Sequence, residues 1–251
     1  MNQISVIVIT HNEEANLARC LDSVKSFAAE IVVVDSASAD GTRAIAARFT
    51  DRVLIEPWRG YGPQKQFALE QARGPWVFSI DADEEVSPEL AREIMALDGS
   101  GDGYLVPRVV WYLDRWIRHG VWYPDRVLRL FRRDRARFTL DSVHERVVLQ
   151  GGAGCLEGAL RHYSYRDIAH HVAKLNERAS LAASQMAERG QRAGWVRLGL
   201  QPGWEFLRAY LLERGFLDGK AGFIVAALHS QYTFLKYARL HEQSVRRGKA
   251  G

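Results

Sequence analysis

Asp81 and Asp83 stand two residues apart, directly after the apolar run Trp76 to Ile80. Two carboxylates at the end of a buried strand can hold a hard divalent ion against a diphosphate. Mg2+ and Mn2+ take one or two carboxylates and fill their remaining positions with phosphate oxygens and water. The same residues could instead form an ordinary acidic loop ahead of a helix cap at Ser87. A second polar segment, Asp35-Ser36-Ala37-Ser38-Ala39-Asp40-Gly41-Thr42, follows a β-branched run. Asp35 can accept a hydrogen bond from a base or a ribose, and Asp40-Gly41 turns the chain into a helix. A third set, Thr10-His11-Asn12-Glu13, follows the first apolar run. Neither the G-x-G-x-x-G fingerprint of dinucleotide sites nor the P-loop pattern is present.

Three polar sets can act together only on a scaffold that brings them to one edge. Ile4 to Ile9, Ile31 to Val34, Val53 to Ile55 and Trp76 to Ile80 read as strands, the first two rich in β-branched residues and suited to burial on both faces. Between them, Leu17, Leu21, Val24 and Phe27 recur at helical spacing with Cys20 on the same face, and Asn12 is placed to cap that helix. Further helices are expected after Gly41-Thr42, over Gln64 to Ala72, and from Ser87-Pro88-Glu89, where Ser caps, Pro suits the first turn and the acid suits the positive end of the dipole. This alternation implies a mainly parallel sheet with helices on both faces, and such sheets bind ligands at the carboxyl ends of their strands. All three polar sets lie at such ends.

From Tyr104 to about Arg161 the pattern is less regular and rich in Trp, Tyr and Arg; after Tyr165 it becomes helical, with Ile168, Val172, Leu175 and Ala179 on one stripe. Trp195 to Leu240 is apolar and aromatic with interspersed basic residues, with breaks expected at Pro202-Gly203 and Gly215 to Gly222 and a frayed tail from Arg246. The expected division is an α/β domain over residues 1–165 and a helical extension over 166–251.

With 251 residues, 47% of them hydrophobic, the chain can bury a sizeable core. Its net charge of +4 is too small to argue for nucleic acid, but nine Arg between Arg108 and Arg137 suggest an anionic partner or surface. Cys20 and Cys155 form no C-x-x-C pair, so a reduced, cytoplasmic setting is the simplest reading. The N-terminal MNQISVIVIT reads as a strand and not a signal peptide. No apolar run approaches the ~20 residues needed to span a bilayer. The C-terminal helices either pack on the α/β domain or present Trp195, Trp204, Phe206, Phe216 and Phe223 to lipid, with Arg197, Arg208 and Arg214 at head groups.

Val8-Ile9-Thr10-His11-Asn12-Glu13-Glu14, Ile31-Val32-Val33-Val34-Asp35-Ser36 with Asp40-Gly41-Thr42, and Ile80-Asp81-Ala82-Asp83-Glu84 together resemble the inverting family 2 glycosyltransferases of GT-A fold. Gly60, Lys65, Ala68 and Ala72 leading into Gly74-Pro75-Trp76 fit the same pattern. The later segments Trp122 to Arg133, Val143-His144-Glu145, and Gly219-Lys220-Ala221-Gly222-Phe223 through Lys236-Tyr237 resemble, more narrowly, bacterial lipopolysaccharide core glycosyltransferases. Gln66 and His11 depart from the common pattern, where Asn and Tyr are usual. The resemblance implies a UDP-sugar donor, glucose as the sugar, a divalent metal (Mg2+ or Mn2+) and an inner-core or other lipid-linked glycan acceptor at the cytoplasmic face of the inner membrane.

Residue by residue, it implies nucleotide contacts at Thr10, Asn12, Glu13 and Asp35, a donor-side position at Lys65, and a donor and metal pair at Asp81 and Asp83, with Asp83 the direct ligand. It places His162 at the metal, with His144 a second histidine of the same kind. Inverting transfer needs a carboxylate to take the acceptor proton; Glu145 occupies the place of the family's base, and Asp125 is the second choice. Arg129, Arg132 and Arg133 are placed to bind a phosphorylated acceptor or the departing diphosphate. Two other readings stay open on the residues alone: a phosphatase with an Asp nucleophile in D-x-D, and a non-catalytic, membrane-associated nucleotide-binding protein.

Overall fold

A computed structural model describes residues 3–139 and 145–248. Its strands and helices follow in chain order. The first half contains β1 (Ile4–Thr10), α1 (Leu17–Val24), β2 (Ala28–Asp35), α2 (Thr42–Ala46), β3 (Val53–Ile55), α3 (Tyr61–Gln71), β4 (Trp76–Asp81), β5 (Glu84–Val86) and α4 (Pro88–Ala96). Next come β6 (Gly103–Tyr112), β7 (Arg115–Ile117), β8 (Asp125–Arg132), β9 (Ala136–Phe138), β10 (Val147–Leu149), β11 (Ala153–Cys155) and β12 (Leu160–His162). The chain closes with α5 (Ile168–Glu188), α6 (Gln201–Leu207) and α7 (Gly219–Gly248).

The chain forms two compact units. The first comprises residues 1–108 and 125–162; the second comprises 109–124 and 163–251. These units differ from a linear division at residue 165, because the segment around β7 belongs with the C-terminal helices.

In the first unit, β3-β2-β1-β4 run parallel, and β8 then β6 continue the sheet antiparallel. The parallel half is the one the alternating pattern implies, and the antiparallel half is the part with irregular sequence. The core follows the strand pleat. Ile4, Val6 and Val8 face Leu17, Leu21 and Val24 of α1 and Leu90 and Ile94 of α4. Ile7, Val32 and Val34 face Ala68 and Leu69 of α3, and Ala72 just after it, on the other side. Ser87 caps α4 as expected, its hydroxyl accepting from the Leu90 N–H at 3.2 Å, with Pro88 in the first turn.

In the second unit, α5, α6 and α7 pack together, and Tyr112, Ile117, Ala221 and Val225 form a separate core. Pro202-Gly203 does not break the chain's helical course: residues 195–212 are helical throughout, with wide π turns before and after α6. Pro202 has no N–H to donate, and a wide turn accommodates the missing bond. The break comes at Glu213–Arg214, where Arg214 takes a left-handed φ of 59°. The tail from Arg246 is helical to Gly248.

Candidate active site

The parallel register aligns the polar strand ends. Thr10 lies beside Asp35, and Ile9 lies beside Asp81. Asp35 is buried and fully engaged within the fold. Its carboxylate accepts from Thr10 Oγ1 at 2.9 Å, from the Ser38 N–H at 2.8 Å and from Ser38 Oγ at 2.5 Å. The loops after β1 and β2 are clasped together by further bonds. Asn12 N–H donates to Ser38 Oγ, Ala39 N–H donates to Asn12 Oδ1, and Glu13 N–H donates to Thr42 Oγ1, all within 2.9 Å. Asn12 therefore does not cap α1, which begins later, at Leu17. It sits at φ 55°, a left-handed conformation that Asn tolerates, and staples two loops. Glu13 accepts from Asn16 Nδ2 at 2.9 Å.

Beside this edge lies a cluster of buried charges. Asp81, at the end of β4, is held between two cations: Lys65 Nζ from α3 lies 2.8 Å from Oδ1, and Arg129 Nη2 from β8 lies 2.6 Å from Oδ2. Burial by itself would raise the Asp81 pKa, but Arg129 and Lys65 outweigh it and hold the carboxyl well below the usual range. Burial likewise opposes the charge on Lys65, yet Asp81 and Glu145 raise its pKa above the ordinary value. Lys65 also reaches Glu145 Oε1 at 2.8 Å, so one ammonium bridges two carboxylates.

Arg129 gets its position from an irregularity in pairing. Tyr104 of β6 opposes Leu130 and Leu105 opposes Leu128, which leaves Arg129 as the extra residue of a bulge. A bulge re-aims a side chain beside a site without disturbing the flanking pleat. Leu130 and Phe131 stay in their respective cores. Glu84, fully buried, accepts from Arg129 Nη2 at 2.7 Å and from the Asp81 N–H at 3.0 Å, so it fixes both members of the pair.

A cavity of about 370 Å³ opens on this cluster, lined by Lys65, Asp81, Arg129 and Glu145 together with Arg108, Arg126 and Arg146. Of the two acids considered as base, Glu145 lines the cavity. Asp125 is paired with Arg108 (2.6 Å) and is not among the lining residues. Arg132 pairs with Asp134 at 3.5 Å and Arg133 donates to the Ala72 carbonyl, so neither joins Arg129 at the cavity. Glu84, Arg108, Arg126 and Arg146 were not singled out by sequence. Glu84 alone carried a local signal, standing three residues after Asp81 and next to Asp83.

Asp83 and His162 do come together, with Nε2 3.2 Å from Oδ2. They are 79 residues apart in sequence, joined by the antiparallel pairing of β12 with β5. His144 lies outside the described residues. No group of three or more His, Cys, Asp or Glu suited to a metal ion occurs among the described residues. A carboxylate beside an imidazole nevertheless suits Mn2+ or Mg2+ whose remaining ligands come from a diphosphate and water. Asp83 and His162 are the residues that would hold such an ion. Asp81 has both carboxylate oxygens on permanent cations, which weighs against it as a direct ligand and against its acting as a nucleophile in phosphoryl transfer.

Comparison with known proteins agrees with this architecture. The family model for glycosyl transferase family 2 matches residues 5–152. The lipopolysaccharide core biosynthesis glycosyltransferase LpsC of Rhizobium meliloti is 37% identical over 250 residues, covering 96% of this chain and 92% of that protein. An uncharacterized glycosyltransferase of Rickettsia typhi is 34% identical, covering 98% and 89%. Among solved structures, a mannosyltransferase from Pyrobaculum calidifontis, in complex with GDP-Man and Mn2+, superposes with a TM-score of 0.54 at 17% identity, over 94% of this chain and 86% of that one, which supports the shared fold. The chain belongs to glycosyltransferase family 2 and is a glycosyltransferase of GT-A fold.

Proposed function

We propose that this enzyme transfers glucose from UDP-glucose to a lipopolysaccharide inner-core or related lipid-linked glycan, inverting the anomeric configuration, with Glu145 as the base. The observation that carries this reading is the cavity in which Glu145 and the Lys65–Asp81–Arg129 cluster share one lining. Glu145, 2.8 Å from the Lys65 ammonium, takes the proton of the acceptor hydroxyl as that oxygen attacks the anomeric carbon. The bond from that carbon to the diphosphate breaks as the new bond forms. Arg129 contributes fixed positive charge at the place where the leaving group becomes more anionic. A divalent ion held by Asp83 and His162 would supply neutralising charge for the diphosphate. Thr10, Asn12, Glu13 and Asp35 form the clasped edge assigned to the nucleotide. The acceptor class follows from the likeness to LpsC, and the uridine base from the resemblance to the family alone.

Incubation with UDP-glucose, Mn2+ and a core oligosaccharide tests the proposal, with released UDP and the product's anomeric configuration as readouts. Glu145→Gln is expected to lower kcat by about 10²- to 10⁴-fold, the usual range for a lost general base. Asp125→Asn should stay within about tenfold of wild type, having lost a surface-side pair and not the base. Wild-type turnover in Glu145→Gln would overturn the base assignment. A retained β-linkage with another nucleotide sugar, but none with UDP-glucose, would overturn the donor.

A further inference from the structure

The second unit carries an apolar ridge that its own core does not use. Over the helical residues 195–212, Val196, Leu200, Trp204, Leu207 and Leu211 recur at intervals of four, four, three and four, and all are exposed, from 47% to 71%. Trp195, 88% exposed, stands at one end, and Leu212 and Phe216 continue the ridge at the other. The opposite face supplies the packing: Pro202 and Ala209 are buried, and Phe206 meets Phe223 of α7 edge to face. The polarity of an ordinary surface helix, apolar inward and polar outward, is thus not kept here. An exposed apolar surface this continuous marks an interaction site.

Charge identifies the partner. Residues 109–124 and 163–251 hold 16 Lys and Arg against 8 Asp and Glu, whereas the other unit holds 18 against 22. The exposed cations Arg189, Arg192 and Arg197 precede or begin the ridge, and Arg214 and Lys220 follow it. Arg208, by contrast, is occupied with Glu205 and Glu213. Trp and Leu in a stripe, bracketed by cations on a chain whose described helices include none long and apolar enough to cross a membrane, is the pattern of a segment lying in a bilayer interface. We infer that residues 195–217 dock the protein in the surface of an anionic phospholipid bilayer. The inference shares with the proposed function only the lipid-linked nature of the acceptor, and it stands on the ridge whichever sugar is transferred.

The test uses the full chain and extruded vesicles, without donor or acceptor, so its outcome is independent of catalysis. Vesicles of phosphatidylcholine with 30% phosphatidylglycerol are compared with phosphatidylcholine alone by co-sedimentation at low and high salt. The wild type should partition at least tenfold more strongly to the anionic vesicles and lose most of that advantage in high salt. The exposed triple variant Leu200→Glu/Trp204→Glu/Leu211→Glu should partition at least tenfold less while keeping its circular dichroism. Arg192→Glu/Arg214→Glu should lose the preference for anionic lipid. Wild type remaining in the supernatant with both vesicle types, or a folded triple variant that binds as wild type does, would overturn the inference. A concentration-dependent dimer abolished by the triple variant, with no vesicle binding, would replace the bilayer by a second copy of the chain.

Discussion

Replacing Lys65 by Met removes the ammonium that bridges Asp81 and Glu145 and puts a side chain of similar length in its place. Both carboxylate oxygens lie 2.8 Å from Nζ, so they are at most about 5.6 Å apart, and two unit charges at that separation repel by about 3 kcal/mol at an effective dielectric of 20. That dielectric suits the site, because Asp81 and Glu145 are partly exposed, at 27% and 18%. Arg129 remains to pair Asp81. The expected loss is therefore about 3 kcal/mol, the low end of the range for breaking a buried ion pair from one side. The pH dependence gives a second check. The folded-state pKa of Asp81 is lowered, so the stability it contributes is present above the unfolded carboxylate value of roughly 4 and lost as pH falls through the lower folded value. Lys65 has a raised pKa, so its side of the linkage is constant below about pH 10. The gap between wild type and variant should thus be widest near pH 7 and narrow towards pH 3. Urea unfolding of both proteins across that range, followed by circular dichroism and fluorescence, measures it. A variant within about 0.5 kcal/mol of wild type at pH 7, or a gap independent of pH, would refute the charge-bridge reasoning.

Three further outcomes follow from other parts of the chain. Burial pushes the His171 imidazole down to about 4, and its ring accepts or donates at 2.9 Å to the Tyr112 hydroxyl. Its contribution to stability is present above the ordinary value and is lost as pH falls towards 4, by up to about 3 kcal/mol, and His171→Gln should flatten that slope in urea titrations. Cys20 is buried, its thiol pushed well above the usual range by burial and then by Glu84, whereas Cys155 is exposed; a thiol reagent should label one cysteine in the native protein and two in denaturant. Gly60 precedes α3 at φ 97° and ψ 160°, a conformation nearly confined to glycine, so Gly60→Ala should cost about 1–3 kcal/mol in a thermal or urea melt.

The parallel half of the fold was legible because its signals are local. Each strand is a short β-branched run, and the polar residues at its end lie next to it in sequence. Helix capping was legible where the motif is complete, as at Ser87-Pro88-Glu89, and misleading at Asn12, whose short polar side chain serves a left-handed turn as readily as a cap. The position of Arg129 was out of reach for a different reason. Among nine arginines between Arg108 and Arg137, only the bulge in β8 distinguishes it, and a bulge is a property of two paired strands. The same holds for residues 109–124, whose packing with the C-terminal helices depends on contacts distant in sequence. The exposed ridge was half legible: composition marked the aromatic and basic residues, but which face turns outward required the fold.

The arrangement explains how two acidic residues in one tripeptide take different tasks. Asp81 ends β4, and its neighbours are Lys65 from α3 and Arg129 from the bulge, so its charge is cancelled by groups that stay protonated at any working pH. Glu84, buried beside them, adds a second anion that keeps Arg129 in place. Asp83 lies on the turn into β5 and meets His162 from β12, with Nε2 3.2 Å from Oδ2. Positive charge from outside the protein is redundant at Asp81, whereas on the proposed reading it would be used at Asp83. Lys65 and Arg129 are thus committed to Asp81, Glu84 and Glu145, and on the proposed reading an exchangeable ion would enter with the donor at Asp83 and His162 instead. Asp83→Ala should on this argument weaken the dependence of turnover on added Mn2+, whereas Asp81→Asn should act chiefly through the misplacement of Lys65 and Arg129. Titrating Mn2+ against each variant separates the two, and equal shifts in apparent metal affinity would remove the distinction.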